Sequence, residues 1–373
     1  MGAGWRNAWR AAHASKGIDD MPLPGVPAIA GDGYDTDMKL YELQNRGGYD
    51  NVVRAERADP MPGAGEVLLR MKAWSLNYRD LMVAKGSYGA PPPAGRIPLS
   101  DGVGEVAAIG AGVTRVKVGD RVAGIFMQKW IGGGIPQEAS GSALGGAIDG
   151  MFAEYVVLSE QGVVHVPAHL SDEEAASLPC AAVTAWNALV REGNLKAGDT
   201  VVCLGTGGVS MIALAFAKMN GARVIMTSSS DQKLALAKEL GADDVINYRT
   251  TPDWDKAVIE MTDGRGADIV VEVGGSGTLT KSINAVRLGG IVPLIGVLTG
   301  VAGDVNTAAI LRRHIRVQGI YVGSREMFEE MNRAIALHRM RPAIGRSFGF
   351  EEAGAAYRYL DSAAHTGKVT IRM

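Results

Sequence analysis

Apolar residues first recur along this chain at every second position, in short runs cut by glycine and proline. Residues 39–43 alternate in this way. Glu66-Val-Leu-Leu-Arg-Met-Lys-Ala73 follows the turn Pro62-Gly-Ala-Gly65, and Gly102-Val-Gly-Glu-Val-Ala-Ala-Ile109 closes at Gly110-Ala-Gly112. Val118-Gly-Asp120 places a turn before a further strand, and Phe152-Ala-Glu-Tyr-Val-Val-Leu158 follows a glycine-rich loop over 132–150. Strands this short, at this spacing, predict a compact, barrel-like β unit.

From Ser171 the period lengthens. Ser171 with Glu174 is a capping-box pair for a helix through 177, and a second helix is predicted over 182–192. Strands at 200–204, 223–227, 244–248, 267–273, 291–295 and 317–322 then alternate with helices at 231–240, 253–262 and 278–288. Six strands with helices between them predict a doubly wound parallel sheet, so the fold class is α/β. A helix at 327–337 and a strand at 367–372 return to mixed texture. No internal repeat is present.

The most informative break lies at Gly205-Thr-Gly-Gly208, where an apolar strand gives way at once to a helical pattern (Ile212, Leu214, Ala215, Phe216, Met219). Strand, glycine-rich turn and helix form the entry to a dinucleotide fold. There the backbone approaches a pyrophosphate, and the N–H groups and dipole of the helix start stabilise its charge. Gly205, Thr206, Gly207, Gly208 and Val209 are the expected contacts. The third glycine of the pattern is Ser210, small enough for close helix–strand packing.

At the amino end, Trp5, Ala8, Trp9 and Ala12 share a helical face beside Arg6, Arg10 and Lys16, with no acid before Asp19. Two readings stay open for residues 1–37: a basic amphipathic targeting segment, or a frayed extension and linker.

Composition narrows the classes. The chain has 373 residues, enough for two domains, and 38 basic against 40 acidic side chains. Near-neutral charge argues against nucleic acid, and no apolar run is long enough to span a bilayer. Cys180 and Cys203, the only cysteines, sit in apolar surroundings. A disulfide framework is therefore not expected, and a reducing, cytoplasmic compartment is the simpler reading.

A dinucleotide sheet for NAD usually carries an acid about 20 residues beyond the glycines, for the ribose hydroxyls. Here the place reads Met226-Thr-Ser-Ser-Ser-Asp-Gln-Lys233. Ser228, Ser229 and Ser230 with the Lys233 cation suit a 2′-phosphate, so NADPH is expected over NADH. Tyr248, ending the next strand, is placed to stack on the adenine or touch the same phosphate. Plainer roles stay open: an N-cap for Ser230, a solvated helix position for Lys233, an ordinary strand end for Tyr248.

Pro62-Gly-Ala-Gly-Glu-Val67, Ser75-Leu-Asn-Tyr-Arg-Asp80, Asp101-Gly-Val-Gly-Glu105, Val118-Gly-Asp-Arg-Val122, Leu178-Pro-Cys-Ala-Ala-Val-Thr-Ala185 and the glycine-rich turn occur as an ordered set. Together they resemble the medium-chain dehydrogenase/reductase superfamily, over roughly residues 38–373. The likeness runs to its zinc-independent alcohol dehydrogenase-like and quinone oxidoreductase-like branch. It implies a GroES-like catalytic domain (38–160 with 324–373) facing a Rossmann cofactor domain (161–323) across a cleft, and, by family habit, a homodimer. Edge pairing of the strand at 317–322 is one route to that dimer.

The zinc members of that family hold a catalytic metal with Cys, His and Cys. The resemblance puts Asn77, Ser100 and Cys180 at those places. An amide, a hydroxyl and one thiol are a poor zinc set, residues 126–150 hold no cysteine for a structural metal lobe, and the six histidines show no ligand spacing. No zinc is expected. Without a Lewis acid a plain carbonyl is hard to polarise, whereas a conjugated enone or a quinone spreads the developing charge onto an oxygen that hydrogen bonds can hold. The resemblance assigns that role to Asn77 and Tyr78, with Tyr78 or a water as proton source. Tyr78 reads equally as a pocket wall. Tyr88 resembles a tyrosine of enoyl thioester reductases, Thr184 a contact to the nicotinamide amide, and Gly296, Val297 and Leu298 the segment facing the ring.

Three functions remain open on the sequence: an NADPH-dependent, zinc-free reductase of α,β-unsaturated carbonyls or quinones, a metal-free alcohol/aldehyde oxidoreductase, and a non-catalytic NADPH-binding protein. Each takes a small molecule as partner.

Overall fold

The structure, a computed structural model, describes residues 37–44 and 47–373; the expected amino-terminal helix face lies outside them. Alternating runs give the β-rich unit. β1 (Asp37–Leu43) pairs antiparallel with β2 (Val52–Ala58). β3 (Glu66–Leu76) is the spine of a second sheet that includes β4 (Asp101–Ile109), β5 (Arg121–Gly124), β6 (Tyr155–Ser159) and β7 (Val163–His165). Its core is aromatic. Tyr41 stacks on Phe152 at 4.5 Å between centroids, and Trp74 meets Phe152 and Phe350 edge-on or tilted at 5.4 and 5.2 Å.

Two boundaries differ from the sequence expectation. Asp37 already belongs to β1. β7 pairs with β5 through Val122 and His165, so the β-rich sheet runs past the 160/161 boundary. Ladder bonds to a distant strand, not local composition, set where the unit ends. The helices α1 (Tyr78–Ala84) and, later, α8 (Thr307–Arg312) and α10 (Ala353–Asp361) were also not foreseen; all are ten residues or shorter.

The Ser171–Glu174 capping box opens α2 (Asp172–Ala176) as expected. The helix expected over 182–192 is less regular. α3 (Val183–Trp186) is α-helical, but π-helical turns at Leu178–Ala182 and Asn187–Arg191 flank it. Such wide turns re-aim side chains and occur often at functional sites.

The cofactor unit carries β8 (Thr200–Cys203), α4 (Gly208–Met219), β9 (Arg223–Ser228), α5 (Asp231–Glu239), β10 (Asp244–Asn247), α6 (Trp254–Met261), β11 (Ala267–Val271), α7 (Ser276–Ala285), β12 (Val286–Leu294) and β13 (Arg316–Gly319). The strands run parallel in the order β10-β9-β8-β11-β12-β13. The order reverses beside β8, so the crevice for a ligand opens at the carboxyl ends of β8 and β11. Val201, Cys203, Val224, Met226, Ile269 and Val271 are fully or almost fully buried there.

The chain then returns. α9 (Arg325–His338) leads to β14 (Ile344–Gly349), and β15 (Lys368–Arg372) pairs with β3, Val369 opposite Leu76. The last strand thereby completes the β-rich sheet and brings the residues before it, Gly367 and Lys368, to the cleft.

Candidate active site

One cavity of about 430 Å³ runs between the β-rich and the cofactor units. It joins nearly all the sites foreseen in the sequence. Asn77, Tyr78, Tyr88, Thr184, Gly205 to Val209, Ser228, Ser229, Lys233, Tyr248 and Gly296 to Leu298 all line it. Ser230 does not. Its hydroxyl accepts from the Lys233 backbone N–H at 3.4 Å and caps α5, the plainer of its two roles.

The cofactor end is built from backbone. Gly205 takes φ 72°, a left-handed conformation that a side chain would strain, and its N–H is fixed by Thr227 Oγ1 at 3.2 Å. α4 then starts at the cavity wall, which Gly207, Gly208, Val209 and Ser210 line, and the N–H groups of a first helical turn have no intrahelical partner. Ser210 answers for the missing third glycine: its hydroxyl donates to the Leu204 carbonyl at 2.6 Å and ties helix to strand. At the rim, Lys233 Nζ donates to the carbonyls of Ala363 (2.6 Å) and His365 (2.9 Å), so the cation is partly committed to the returning chain. Burial holds its ammonium below the ordinary lysine range. Glu272, fully buried at the end of β11, accepts from the N–H groups of Gly274 (2.6 Å) and Gly275 (3.0 Å) and from Thr278 (2.6 Å). That carboxylate fastens the turn on which Gly296 to Leu298 rest. A nicotinamide dinucleotide fits this donor set.

The other end is built from side chains. Tyr88 Oη lies 3.2 Å from Tyr321 Oη, linking the two walls. Burial, with Tyr321 beside it, pushes the Tyr88 phenol well up, so it stays a donor. Arg79 stacks over Phe126 at 4.7 Å and Tyr88 at 5.5 Å while bonding the Leu144 carbonyl at 2.7 Å. Asp80 accepts from the Asn77 N–H at 2.8 Å; burial lifts its carboxyl to about 6 although Arg79 pulls it down. Asp101 is completely buried and accepts from Ser100 Oγ (2.8 Å) and the Cys180 N–H (3.2 Å). Burial raises it too, against the pull of Lys368, Asn77 and Ser100. Leu99 and Val322, beside these residues, hold left-handed backbones at φ 65° and 58°, strain of the kind that gathers at functional sites.

Comparison with known proteins decides the family. The alcohol dehydrogenase GroES-like domain pattern matches residues 63–168, and the pattern described as zinc-binding dehydrogenase matches 208–337. A zinc-type alcohol dehydrogenase-like protein of Schizosaccharomyces pombe is 42% identical over 87% of this chain and 96% of its own length. The chain belongs to the medium-chain dehydrogenase/reductase superfamily. A quinone oxidoreductase of Pseudomonas aeruginosa is 31% identical, covering 83% of this chain and 92% of that one. Among solved structures, a putative alcohol dehydrogenase from Sinorhizobium meliloti 1021 superposes with a TM-score of 0.85 at 39% identity, over 91% of this chain and 99% of its own. A mycobacterial structure complexed with NADPH superposes at 0.76 and 26% identity, over 90% and 100%. Like its relatives in this superfamily, the protein is an NAD(P)H-dependent oxidoreductase.

Zinc, which the cofactor-domain family is named for, does not fit the donor set at Asn77, Ser100 and Cys180. The Asn77 carbonyl oxygen is taken by Lys368 Nζ, and the Ser100 hydroxyl is donated to Asp101. Cys180 is then the single sulfur donor left, too few for a tight zinc site. An internal cation already stands beside them: Lys368 Nζ is 3.9 Å from the Asp101 carboxylate. Among the described residues no group of three His, Cys, Asp or Glu side chains is arranged to hold a metal ion.

Sequence reasoning missed Arg79, Tyr321, His365 and Lys368, all on the cavity wall. One signal was available. Gly367-Lys-Val-Thr-Ile-Arg372 reads as a strand, and its lysine is only 3% exposed. A lysine opening a buried strand needs a partner.

Proposed function

We propose that this oxidoreductase is NADPH-dependent and zinc-independent, and that it reduces α,β-unsaturated carbonyls or quinones. One observation carries the reading. A single cavity joins a dinucleotide turn, with serines and a lysine instead of an acid at its rim, to an apolar end whose polar groups are hydrogen-bond donors. The bound cofactor would supply a hydride. Gly205 to Val209 hold the pyrophosphate, Ser228, Ser229 and Lys233 take the 2′-phosphate with Tyr248 alongside, and Thr184 with Gly296 to Leu298 orient the ring. With hydride arriving at the β-carbon of an enone, the electron pair moves to the carbonyl oxygen. The Asn77 amide, with Tyr78 at the mouth, stabilises that oxygen, and Tyr78, Tyr88 or water returns a proton to the α-carbon. The quinone oxidoreductase relative and the NADPH-bound structural relative support this choice.

The test is NADPH oxidation by metal-free protein with a quinone, a cyclic enone and its saturated ketone, with NADH and added zinc in parallel. Turnover of the conjugated acceptors with NADPH, unchanged by zinc or chelator, is expected. Equal rates on enone and saturated ketone would instead make it a plain carbonyl oxidoreductase. β13, an exposed edge of the parallel sheet, supports a homodimer, which light scattering in solution would reveal. Two free thiols are in keeping with a cytoplasmic setting.

A further inference from the structure

Two phenols meet across the acceptor end from opposite walls. Tyr88 lies in the turn after α1, in the β-rich unit, and Tyr321 just beyond β13, in the cofactor unit. Their oxygens are 3.2 Å apart, and both residues line the cavity. The place of Tyr321 is held on each side. Before it, the Ile320 N–H bonds the Leu294 carbonyl at 2.9 Å. After it, Val322 takes φ 58°, a conformation that a β-branched residue resists. Asn187, only 4% exposed in the π-helical turn after α3, fixes that strain by donating its Nδ2 N–H to the Val322 carbonyl at 2.8 Å. The ring itself meets Phe126 edge-on at 6.0 Å between centroids. Backbone strain that the surroundings enforce beside a cavity points to a residue placed for use.

The pair shares one proton between its oxygens, so the second O–H is left over. Tyr88 is the more buried of the two, and burial, with Tyr321 beside it, makes the Tyr88 proton hard to lose. Tyr88 therefore donates to Tyr321 Oη. The Tyr321 hydroxyl keeps its own proton, and among the described residues no acceptor takes it. At 39% exposure Tyr321 is open to the cavity and to water.

We propose that Tyr321 is a catalytic residue of the reduction, giving its proton to the acceptor oxygen, with Tyr88 as the positioning residue behind it. This rests on the reductase reading above. With hydride and its electron pair arriving at the β-carbon of an enone, the C=C pair moves to join the α-carbon and the carbonyl carbon, and the C=O pair moves to oxygen. The Tyr321 O–H bond breaks, and its proton goes to that oxygen to give the enol. The O–H electron pair stays on Tyr321 Oη, where the Tyr88 O–H donates to it. Water then returns a proton to Oη, and the enol tautomerises to the saturated ketone. One hydride and one proton are added in all. A quinone takes the same two and becomes the hydroquinone.

The experiment compares wild type, Tyr321→Phe, Tyr88→Phe and the double variant, each change removing a hydroxyl and keeping its ring. Protein loaded with NADPH is mixed with 1,4-benzoquinone, 2-cyclohexenone or a saturated aldehyde, whichever wild type turns over. The hydride step is followed in H₂O and in D₂O, with NADPH affinity read by fluorescence titration and stability by thermal melting. Expected for Tyr321→Phe is a fall of about 10²-fold in that step, with NADPH affinity within about threefold. The slowing that D₂O causes in wild type should vanish with it. Tyr88→Phe should lose only about fivefold, as for one hydrogen bond, and keep the D₂O effect, because the Tyr321 proton remains. The double variant should be no slower than Tyr321→Phe alone, since Tyr88 acts through Tyr321. A larger loss from Tyr88→Phe, losses that multiply, or a Tyr321→Phe loss seen only in NADPH affinity or only in melting would overturn the proposal and leave the reductase reading intact. Wild-type turnover of the aldehyde alone would sink that reading, and the same variants would still test Tyr321, whose target there is again a carbonyl oxygen. No turnover of any acceptor would overturn both.

Discussion

The two ends of the cavity are made by different means. At the cofactor end the groups that count are backbone N–H donors, set by one glycine turn, one helix start and strand ends within a few dozen residues. At the acceptor end they are mostly side chains from distant stretches, Asn77 and Asp80, Ser100 and Asp101, and Lys368, joined by the Cys180 N–H. A backbone site is robust, since most substitutions keep its donors. A side-chain ring is fragile, because each member is held by the next in a nearly water-free place where an unpaired polar group is costly. The contrast predicts large effects at one end and small ones at the other.

The largest should come from Asn77→Asp. The carboxylate keeps Lys368 as a partner but loses the bond to the buried Asp101, so thermal stability is measured beside the rate. The N–H donor is gone, and a negative charge stands where the acceptor oxygen develops its own. We expect kcat with the preferred acceptor to drop 10²- to 10³-fold, about 3 to 4 kcal/mol, with NADPH affinity little changed. Rapid single-turnover mixing would read the hydride step directly; an unchanged rate would show that Asn77 does not hold the acceptor.

Next comes the cost of burying charge at this end. Asp80 has its folded value lifted to about 6 by burial, against an unfolded value near 3.9. The folded state then binds the proton more tightly than the unfolded chain. Asp80 therefore contributes stability below about pH 4, and this contribution is lost as pH rises to 6 and beyond. Asp268, below the start of β8, has the opposite sign. Burial would raise it, but Arg265, the Thr200 N–H and Arg287 bring it to about 2. Urea unfolding of wild type and Asp80→Asn at pH 7 and pH 4.5 separates the two. Wild type should gain about 2 kcal/mol on the variant as pH falls. Parallel profiles would mean that Asp80 ionises normally and that Arg79 compensates its burial.

The same contrast explains what could be read before the structure. Gly205 to Val209, the strand–turn–helix succession at β8 and α4 and the Ser171–Glu174 cap are local patterns, and a local pattern needs no partner to be recognised. The role of Ser230 was undecided between cap and phosphate contact, and geometry alone gives it to the cap. Lys368 was quoted as part of a strand and passed over, because its meaning depends on Val369 falling opposite Leu76. That register is a fact about two stretches nearly 300 residues apart, and no window on the sequence contains it. The π-helical turns around Thr184 were read as plain helix for a related reason: their cause is packing, not period.

A smaller effect is expected where a side chain does enter the cofactor end. Lys233 spends two of its three N–H donors on Ala363 and His365, leaving one for a phosphate. Lys233→Ala should raise the KM for NADPH about tenfold, near 1.4 kcal/mol, and leave the KM for NADH unchanged. Equal losses with both cofactors would mean that the lysine only fastens the returning chain.

The smallest belongs to Ser210. Its hydroxyl bond to Leu204 does the work that the family pattern gives to a third glycine, holding α4 close to β8. Ser210→Gly would restore the pattern and still weaken the protein, because the bond is lost and a glycine enters a helix. About 1 to 2 kcal/mol is expected. NADPH affinity should hardly change, since the glycine turn proposed to hold the pyrophosphate stays where the Gly205–Thr227 bond puts it. Chemical denaturation beside a fluorescence titration tests both halves. Lost stability with retained affinity would support a site made of backbone. A tenfold loss of affinity would mean that the cofactor end, too, depends on its side chains, and the distinction between the two ends would fail.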